Sequence, residues 1–542
     1  MPRPPAKKSL RFPFAGVVKK RGFRNAPQSP PYPCIDAVNV RGQDVAGRDL
    51  GASRPGLSKV VSNSFGSITA MSTLTVVNQN GEREYYLVVV GNGVFHLIKG
   101  SVVTSTTAEL LTDTSLVIQV EDGSSIVFES TVPETNPIGH TSAYSVAPYN
   151  GRLLLADSVL REYNAITGVV VPVRSPASSE TATTPSAPEN QPLVCVYRDR
   201  VFLTGENHLW YASRQGSHYD WNFGDDMEDT GRAVAGQLSF SGKIGDTPIA
   251  LIPLDDQNLV FACSNSLWVL QGDPGEGNIR RISSEIGIVS PTAWAKNGEG
   301  TMLFLSNDGL YIWKAGSRQV PERFSEERLP GILRNPDIEK KILMAYDPVG
   351  RGFHLFITPS TGNGLHFWLT LSPPAIWPVK FGDEGHQPVC VARLEQGGLA
   401  EIVLGCADGH LRKFNPASIA DDGTTLNSHV LIGPVFLAPD DTRDALFNEI
   451  HGILLSGNVV WRLFVDSTAE GVANKAQLAL NEIVAGETPS AVAASGAWSA
   501  GRNDVERPRA RGSWVVVLLS SNVRWVYEAV AITALQLGRA RW

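Results

Sequence analysis

A turn dipeptide followed by an aliphatic residue, usually with aromatics close behind, returns seven times along this 542-residue chain. It reads Asn92-Gly93-Val94-Phe95, Asp157-Ser158-Val159, Asn207-His208-Leu209-Trp210-Tyr211, Asn265-Ser266-Leu267-Trp268, Asp308-Gly309-Leu310-Tyr311, Asn363-Gly364-Leu365-His366-Phe367-Trp368 and Asp408-Gly409-His410-Leu411. Asn, Asp and Gly supply the φ > 0 positions that two-residue β-hairpins need, and the aliphatic residue starts the returning strand. From one aliphatic marker to the next the steps run from 43 to 65 residues, close to the ~40–50 of a four-stranded propeller blade with insertions. The expected fold is all-β: a β-propeller of six or seven blades, with an extended N-terminal arm and a C-terminal β region.

Length alone would suggest three or four ordinary domains. The repeat overrides that, because each blade of a ring buries its faces against its neighbours rather than around one central core. VFACSNSLWVL at Val260 to Leu270 and LFLSNDGLYIW at Leu303 to Trp313 align without a gap, which is stronger support for repetition than any single turn.

The chain divides into a basic, extended arm at 1–57, a propeller at 58–426 and a C-terminal β region at 427–542. Residues 174–192 contain no Leu, Ile, Val or aromatic residue and read as a surface linker between blades. Residues 322–340 carry a helical stretch around Phe324 to Arg334, an excursion between two blades. After residue 427 the blade phrase stops and long strands are expected at Glu449 to Ser456, Val459 to Asp466, Gly512 to Ser520 and Val523 to Leu537. They either close the ring or form a small separate β unit. Closure is favoured, because a ring must join its first and last blade.

Arg3, Lys7, Lys8, Arg11, Lys19, Lys20, Arg21 and Arg24 stand in the first 30 residues without one acid. With those eight cations set apart, the formal charge of −7 leaves −15 for the remainder. An acidic body disfavours non-specific duplex binding, which depends on neutralising phosphates. The arm could dock on an acidic protein surface or touch nucleic acid. Cys34, Cys195, Cys263, Cys390 and Cys406 form no CxxC pair and no Cys/His ligand spacing, so neither zinc nor a disulfide framework is indicated. The N-terminus lacks the apolar segment of a secretory leader and no run approaches 18 apolar residues. Synthesis and assembly in a cytoplasm, without membrane insertion, are expected.

Candidate chemistry is sparse. Asp220, Asp225, Asp226, Glu228 and Asp229 cluster in one loop, and four of them (Asp225, Asp226, Glu228 and Asp229) are the weak candidates for a calcium site, since Ca²⁺ takes several carboxylate and carbonyl oxygens. The loop lacks the EF-hand ladder, and a solvated acidic loop is the simpler reading. Ser306, Asp308, Gly309 and Trp313 are similar to the sialidase Asp box with altered spacing, a folding element rather than a catalytic one. No carboxylate pair of the kind a glycosidase needs is identifiable. His354, His366 and His410 sit in or beside strands without HExxH or HxH spacing, and no GxGxxG, GxxxxGK[ST] or GxSxG motif occurs. Trp210, Trp268, Trp313, Trp368 and Trp377 could stack on carbohydrate, but their recurrence fits aromatic packing between blades. No catalytic residue, cofactor or resident metal is assigned, and an enzyme is not expected.

The basic FPF segment, then Asp36-Ala37-Val38-Asn39-Val40-Arg41 and Ser53-Arg54-Pro55-Gly56-Leu57, resembles the opening of tail proteins from tailed bacteriophages and prophages. The resemblance continues through Asn207 to Asp226, Leu267 to Asp273, Ile286 to Pro291, Ala345 to Asp347 and Phe353 to Pro359. It covers roughly residues 10–420, with a continuation at Gly512 to Arg541, while the C-terminal region departs from any fibre-docking platform. It implies a structural virion protein of the nozzle or tail tubular type: a homo-oligomer, as a hexameric ring, around the DNA exit channel. Its partners would be the portal and adaptor above and fibre or needle proteins below, with genomic DNA passing through without specific binding. An arm such as 1–57 would reach across the ring and clasp a neighbour. A receptor- or glycan-binding tail propeller and a cellular propeller scaffold are the alternatives.

Overall fold

The computed structural model describes the chain except for residues 1–5, 19–31, 45–46, 78–79, 101, 107–116, 120–124, 128–144, 158, 174–185, 206–207, 225–227, 237–243, 318, 326–332, 334–335, 337–339, 397–398, 439–442 and 540–542. Most of the 174–192 linker, most of the helix expected at Phe324 to Arg334, and the basic residues Lys19, Lys20, Arg21 and Arg24 lie outside the described residues.

Seven four-stranded antiparallel units follow one another. Blade 1 runs Ile68–Val77, Arg83–Gly91, Val94–Lys99 and Val102–Thr106. Blades 2 to 6 begin at Ser145–Tyr149, Leu193–Tyr197, Pro248–Asp255, Trp294–Lys296 and Lys341–Asp347, each pairing its strands in sequence order. Blade 7 supplies Pro388–Gln396, Leu399–Cys406 and His410–Asn415. The first strands of blades 1, 2, 3 and 4 touch in turn, as do those of blades 5, 6 and 7, and blade 7 returns to blade 1. Blades 4 and 5 are joined where the Ile288 and Val289 amides donate to the Cys263 and Leu305 carbonyls. The fold is an all-β propeller, and first strands line its axis.

Every recurrent turn lies between the second and third strands of a blade, so the seven phrases count seven blades. Asn92 and Gly93 have φ of 51° and 77°, which a two-residue hairpin of this hand requires.

Four strands of the N-terminal segment are β1 (Ala6–Leu10), β2 (Cys34–Val38), β3 (Val40–Arg41) and β4 (Ala52–Ser53). A fifth, β5 (Gly56–Ser64), is the outer strand of blade 7, pairing Gly56 with Asn415 and His410 with Ser64. The closure favoured for the strands after 427 is therefore made by β5 instead. Those strands reach 14 residues in Arg443–Ser456 and Val526–Arg539, too long for a blade, and two of them, Ser428–Phe436 and Val526–Arg539, pair with the arm.

One sheet runs β2, Ser428–Phe436, Trp514–Ser521, Val459–Asp466, Ala494–Trp498. The other runs β3, β4, Val526–Arg539, Arg443–Ser456, Gly501–Arg502, with β1 on Val526–Arg539 and Ala510–Gly512 on Arg443–Ser456. Both sheets share one apolar core, in which Val515, Val517 and Leu519 meet the cluster containing Phe447, Ile450, Val530 and Ile532. The alternate residues Trp514, Val516 and Leu518 pack on the opposite face against helix α1 (Ala469–Val484). Burial on both faces is why this strand reads as an unbroken apolar run.

The arm expected to clasp a neighbour is, over its described residues, built into its own chain. Phe12 is 1% exposed between Trp377 of blade 6 and Tyr527 of the sandwich. Val17 donates to the Ile376 carbonyl, and Asn39 to that of Pro378. The segment thus covers the outer strand of blade 6, an edge that would otherwise be open to strand addition.

Candidate functional site

Where arm, propeller and sandwich meet, the backbone of Asn39 turns at φ 58°. Its side-chain oxygen accepts from Arg54 Nε at 2.8 Å and from the Lys380 amide at 2.9 Å. Arg54 lies wholly buried, donates to the Lys380 carbonyl at 3.0 Å, and forms a two-pronged pair with Asp421. Three chain segments distant in sequence are thereby fixed at one point.

Two residues beyond Asn39, Arg41 stands at the wall of a cleft of about 340 Å³. Its guanidinium lies 4.0 Å over the Trp368 ring and 5.3 Å from that of Phe414. The remaining walls include Asp44, Asp347, Arg351 and Glu401. Arg41 is 7% exposed, yet its Nε and Nη2 have no hydrogen-bond partner among the described residues. Burial pushes Arg41 down to about 10, with the Asp347 charge acting against that shift. Burial would raise the Asp347 carboxyl, but His354 and Arg41 outweigh it and hold the group below its ordinary range. Beneath them His354 is fully buried, its Nε2 3.9 Å from Asp347 Oδ2, and burial drives it down to about 4.

Asp44 is engaged by Arg48 at 2.6 Å and Glu401 by Lys413 at 2.7 Å. Arg351 is exposed. Discounting the two satisfied acids leaves the cations Arg41 and Arg351 facing one carboxylate, Asp347.

A second polar cluster lies between blades 2 and 3. Glu162 is 3% exposed and receives the Tyr219 hydroxyl at 2.8 Å, with His218 Nε2 at 2.6 Å and Arg152 paired to it as well. Burial would raise Glu162, but the bonds to His218 and Tyr219 and the charges of His218 and Arg152 bring it below the usual value. Among the described residues no hydroxyl or thiol bonds to the other ring nitrogen of His218, so the cluster holds two blades together without a nucleophile at hand.

Of the calcium candidates, Asp225 and Asp226 lie outside the described residues. Asp229 pairs with Arg214 at 2.7 Å and accepts from the Gly231 amide at 2.9 Å, and Glu228 sits beside it in the turn. Asp220 is 4.0 Å from the same arginine. Among the described residues no group of three His, Cys, Asp or Glu side chains is placed to hold a metal, and no helix is long and apolar enough to cross a membrane.

Asp308 and Gly309 form the blade 5 turn, where Arg323 and the Tyr311 hydroxyl engage Asp308. Ser306 ends the strand before it, and Trp313 donates to the Gln319 carbonyl. His366 is buried beside Gln387, pushed down to about 4 by that burial, while His410 faces the Asn63 carbonyl. Trp210, Trp313, Trp368 and Trp377 are buried, and Trp268 lies under Arg281. All five cysteines are buried, and none is joined to another by a disulfide.

Arg41, Arg54 and Asp347 were visible in the sequence only as letters within phrases. No local spacing relates the two arginines to Asp347, because the junction brings Arg41 and Arg54 from the arm to Asp347 of blade 6.

No family model and no curated protein matches the chain. Solved structures similar to it include U3-55K, 12% identical over 66% of this chain and 98% of that one with a TM-score of 0.36. The RRP9 WD40 repeats are 12% identical over 67% and 98% with a TM-score of 0.37. The WD40 β-propeller domain of Doa1 is 10% identical over 66% and 97% with a TM-score of 0.36. The architecture rests on the strand pairing described above, and these likenesses carry no function across.

Proposed function

We propose that this chain is a non-enzymatic propeller scaffold that assembles with copies of itself. The observation that carries the reading is the distribution of charge between its two structural units. The propeller, 58–426, holds 26 basic and 40 acidic side chains, a net −14, whereas the arm and C-terminal sandwich together hold 21 and 14, a net +7. Over its described residues the arm pairs with the sandwich and covers the edge of blade 6, and along the sequence an acidic propeller is flanked by segments that together carry net positive charge. Opposed units of this kind favour head-to-tail contact between copies and steer their encounter. With β1 to β5 occupied within the chain, copies would meet through folded surfaces rather than by exchanging those strands.

The narrower reading, a nozzle ring in the tail of a tailed phage, is supported by the sequence resemblance. An acidic propeller suits the wall of a conduit that must release DNA, since it offers few phosphate contacts. Negative-stain microscopy of the purified protein across a salt series tests the scaffold reading. Rings of constant copy number that dissociate as salt rises are expected; a monomer at every salt and protein concentration would overturn it. A gene neighbourhood containing portal and terminase genes supports the tail assignment, and one without them removes it while leaving the scaffold reading intact.

A further inference from the structure

We propose that the strand Ala494–Trp498 pairs edge to edge with the same strand of a second copy of this chain, joining two molecules across a two-fold axis. The strand ends one sheet of the sandwich, and among the described residues its outer side has no strand partner. The opposite end of that sheet is covered, where the Val18 amide of the arm donates to the Cys34 carbonyl of β2.

Backbone direction decides which groups are open. The Ser513 amide donates to the Asp466 carbonyl, so in Val459–Asp466 the backbone groups of Asp466, Phe464, Arg462 and Val460 face Trp514–Ser521. Those of Leu463, Trp461 and Val459 then face Ala494, Gly496 and Trp498, their cross-strand partners. The amides and carbonyls of Ser495 and Ala497 therefore point away from the sheet, and both residues are exposed. Ser499, the next in that alternation, has its amide and carbonyl met by the side chain of Asn503 at 2.9 and 2.8 Å. Asn503 thus closes the end of the edge and leaves Ser495 and Ala497 open.

The occupant follows from the residues of the edge. No charged residue stands between Glu487 and Arg502, and the strand contains no proline, so the devices that usually blunt an edge are missing. An antiparallel copy centred on Gly496 sets Ser495 opposite Ala497 across the axis, and each such pair exchanges two backbone hydrogen bonds. Gly496 meets itself at the centre, a non-hydrogen-bonded position where two strands approach most closely. Trp498, the one large side chain of the strand, comes opposite Ala494, and no like charges oppose each other. The contact needs no opposite charge, so it is additional to the head-to-tail contact and does not rest on it.

Sedimentation velocity of the full-length protein at about 1 M salt, where the screening length falls to about 3 Å, tests it; dimers are expected to persist there. Ala497→Pro removes one outward amide from each copy and spares the ladder to Val459–Asp466, a placement that edge strands tolerate. It should weaken the dimer on the order of 10- to 100-fold, the effect of two lost backbone hydrogen bonds. Hydrogen exchange on the unsubstituted protein gives a second measurement. Protection of the Ser495 and Ala497 amides should rise with protein concentration, while that of Ser499, held by Asn503, stays constant. Dimers that Ala497→Pro leaves unchanged, or exchange at Ser495 and Ala497 indifferent to concentration, would overturn the proposal. Rings at low salt that fall to monomers at high salt would overturn it too and leave the charge-led contact standing; dimers of one size at every salt would do the reverse.

Discussion

Arg54 donates from Nη1 and Nη2 to the two carboxylate oxygens of Asp421 at 2.9 and 2.5 Å, with both side chains shut off from solvent. One residue lies just before the strand that closes blade 7 and the other just after its third strand. The pair therefore locks the seam of the ring. Removing one partner leaves a buried charge uncompensated, so Asp421→Ala should cost about 3–5 kcal/mol, read as a lowered urea midpoint at unchanged slope. A loss below about 1 kcal/mol, the range of a surface pair, would mean that the seam is held elsewhere.

Phe12 couples the arm to both larger units. Phe12→Ala should cost about 3–5 kcal/mol, the range for emptying an aromatic site in a core. A Cβ on Gly51 would stand 1.8 Å from the Phe12 ring, so Gly51→Ala should also destabilise. Combined, the two should cost less than their sum, because the smaller side chain at 12 makes room for the methyl. A double-mutant cycle by urea unfolding checks this, and strict additivity would contradict the contact.

Glu162 titrates below its ordinary value in the folded protein. Its contribution is fully present above the unfolded value of about 4.5 and is lost as pH falls through the lower folded value. Glu162→Gln should cost about 1.5–3 kcal/mol at neutral pH, the range for hydrogen bonds to charged groups. It should also flatten the fall in stability below pH 5. Urea midpoints from pH 7 to pH 3 test this; parallel curves for both proteins would show that Glu162 does not set the acid limb.

The closing strand β5 should open with its partner rather than with the arm. Hydrogen exchange is expected to protect the amides of Leu57, Ser58 and Lys59 to the same degree as those of Leu411 to Phe414, since both sides of a ladder open together. Leu57, 1% exposed, should cost about 2–5 kcal/mol when cut to Ala. Fast exchange across β5 would place closure outside this pairing.

The turns were legible because their chemistry is local. Gly409 has φ 80°, with the Gly66 carbonyl oxygen 2.6 Å from where a Cβ would stand, and a sequence shows such a demand directly. Helix α1 was not read. Its buried face is Ala469, Val472, Ala473, Ala476, Ala479 and Leu480, four of six alanine, a weak apolar stripe in a region rich in alanine on every side. Thr468, which caps the helix through the Gly471 amide at 3.0 Å, was the available signal. The destination of β5 and the cleft around Arg41 were illegible for a different reason. Gly56 meets Asn415, and Arg41 meets Trp368 and Phe414, and nothing in a local window relates residues so far apart.

The pairing of β1 with Val526–Arg539 also sets a timetable. Chains emerge from the ribosome amino end first, at roughly 5–20 residues per second, so β1 must wait for a partner that is made about 500 residues later. Blades 1 to 6 can form in order during synthesis, while β1 stays without its partner until Val526–Arg539 has been made. A ribosome that stops early leaves a ring open at blade 7 or a sandwich lacking a strand, with exposed edges that attract other chains. Synthesis of Val526–Arg539 is thus the step that makes the molecule safe to accumulate.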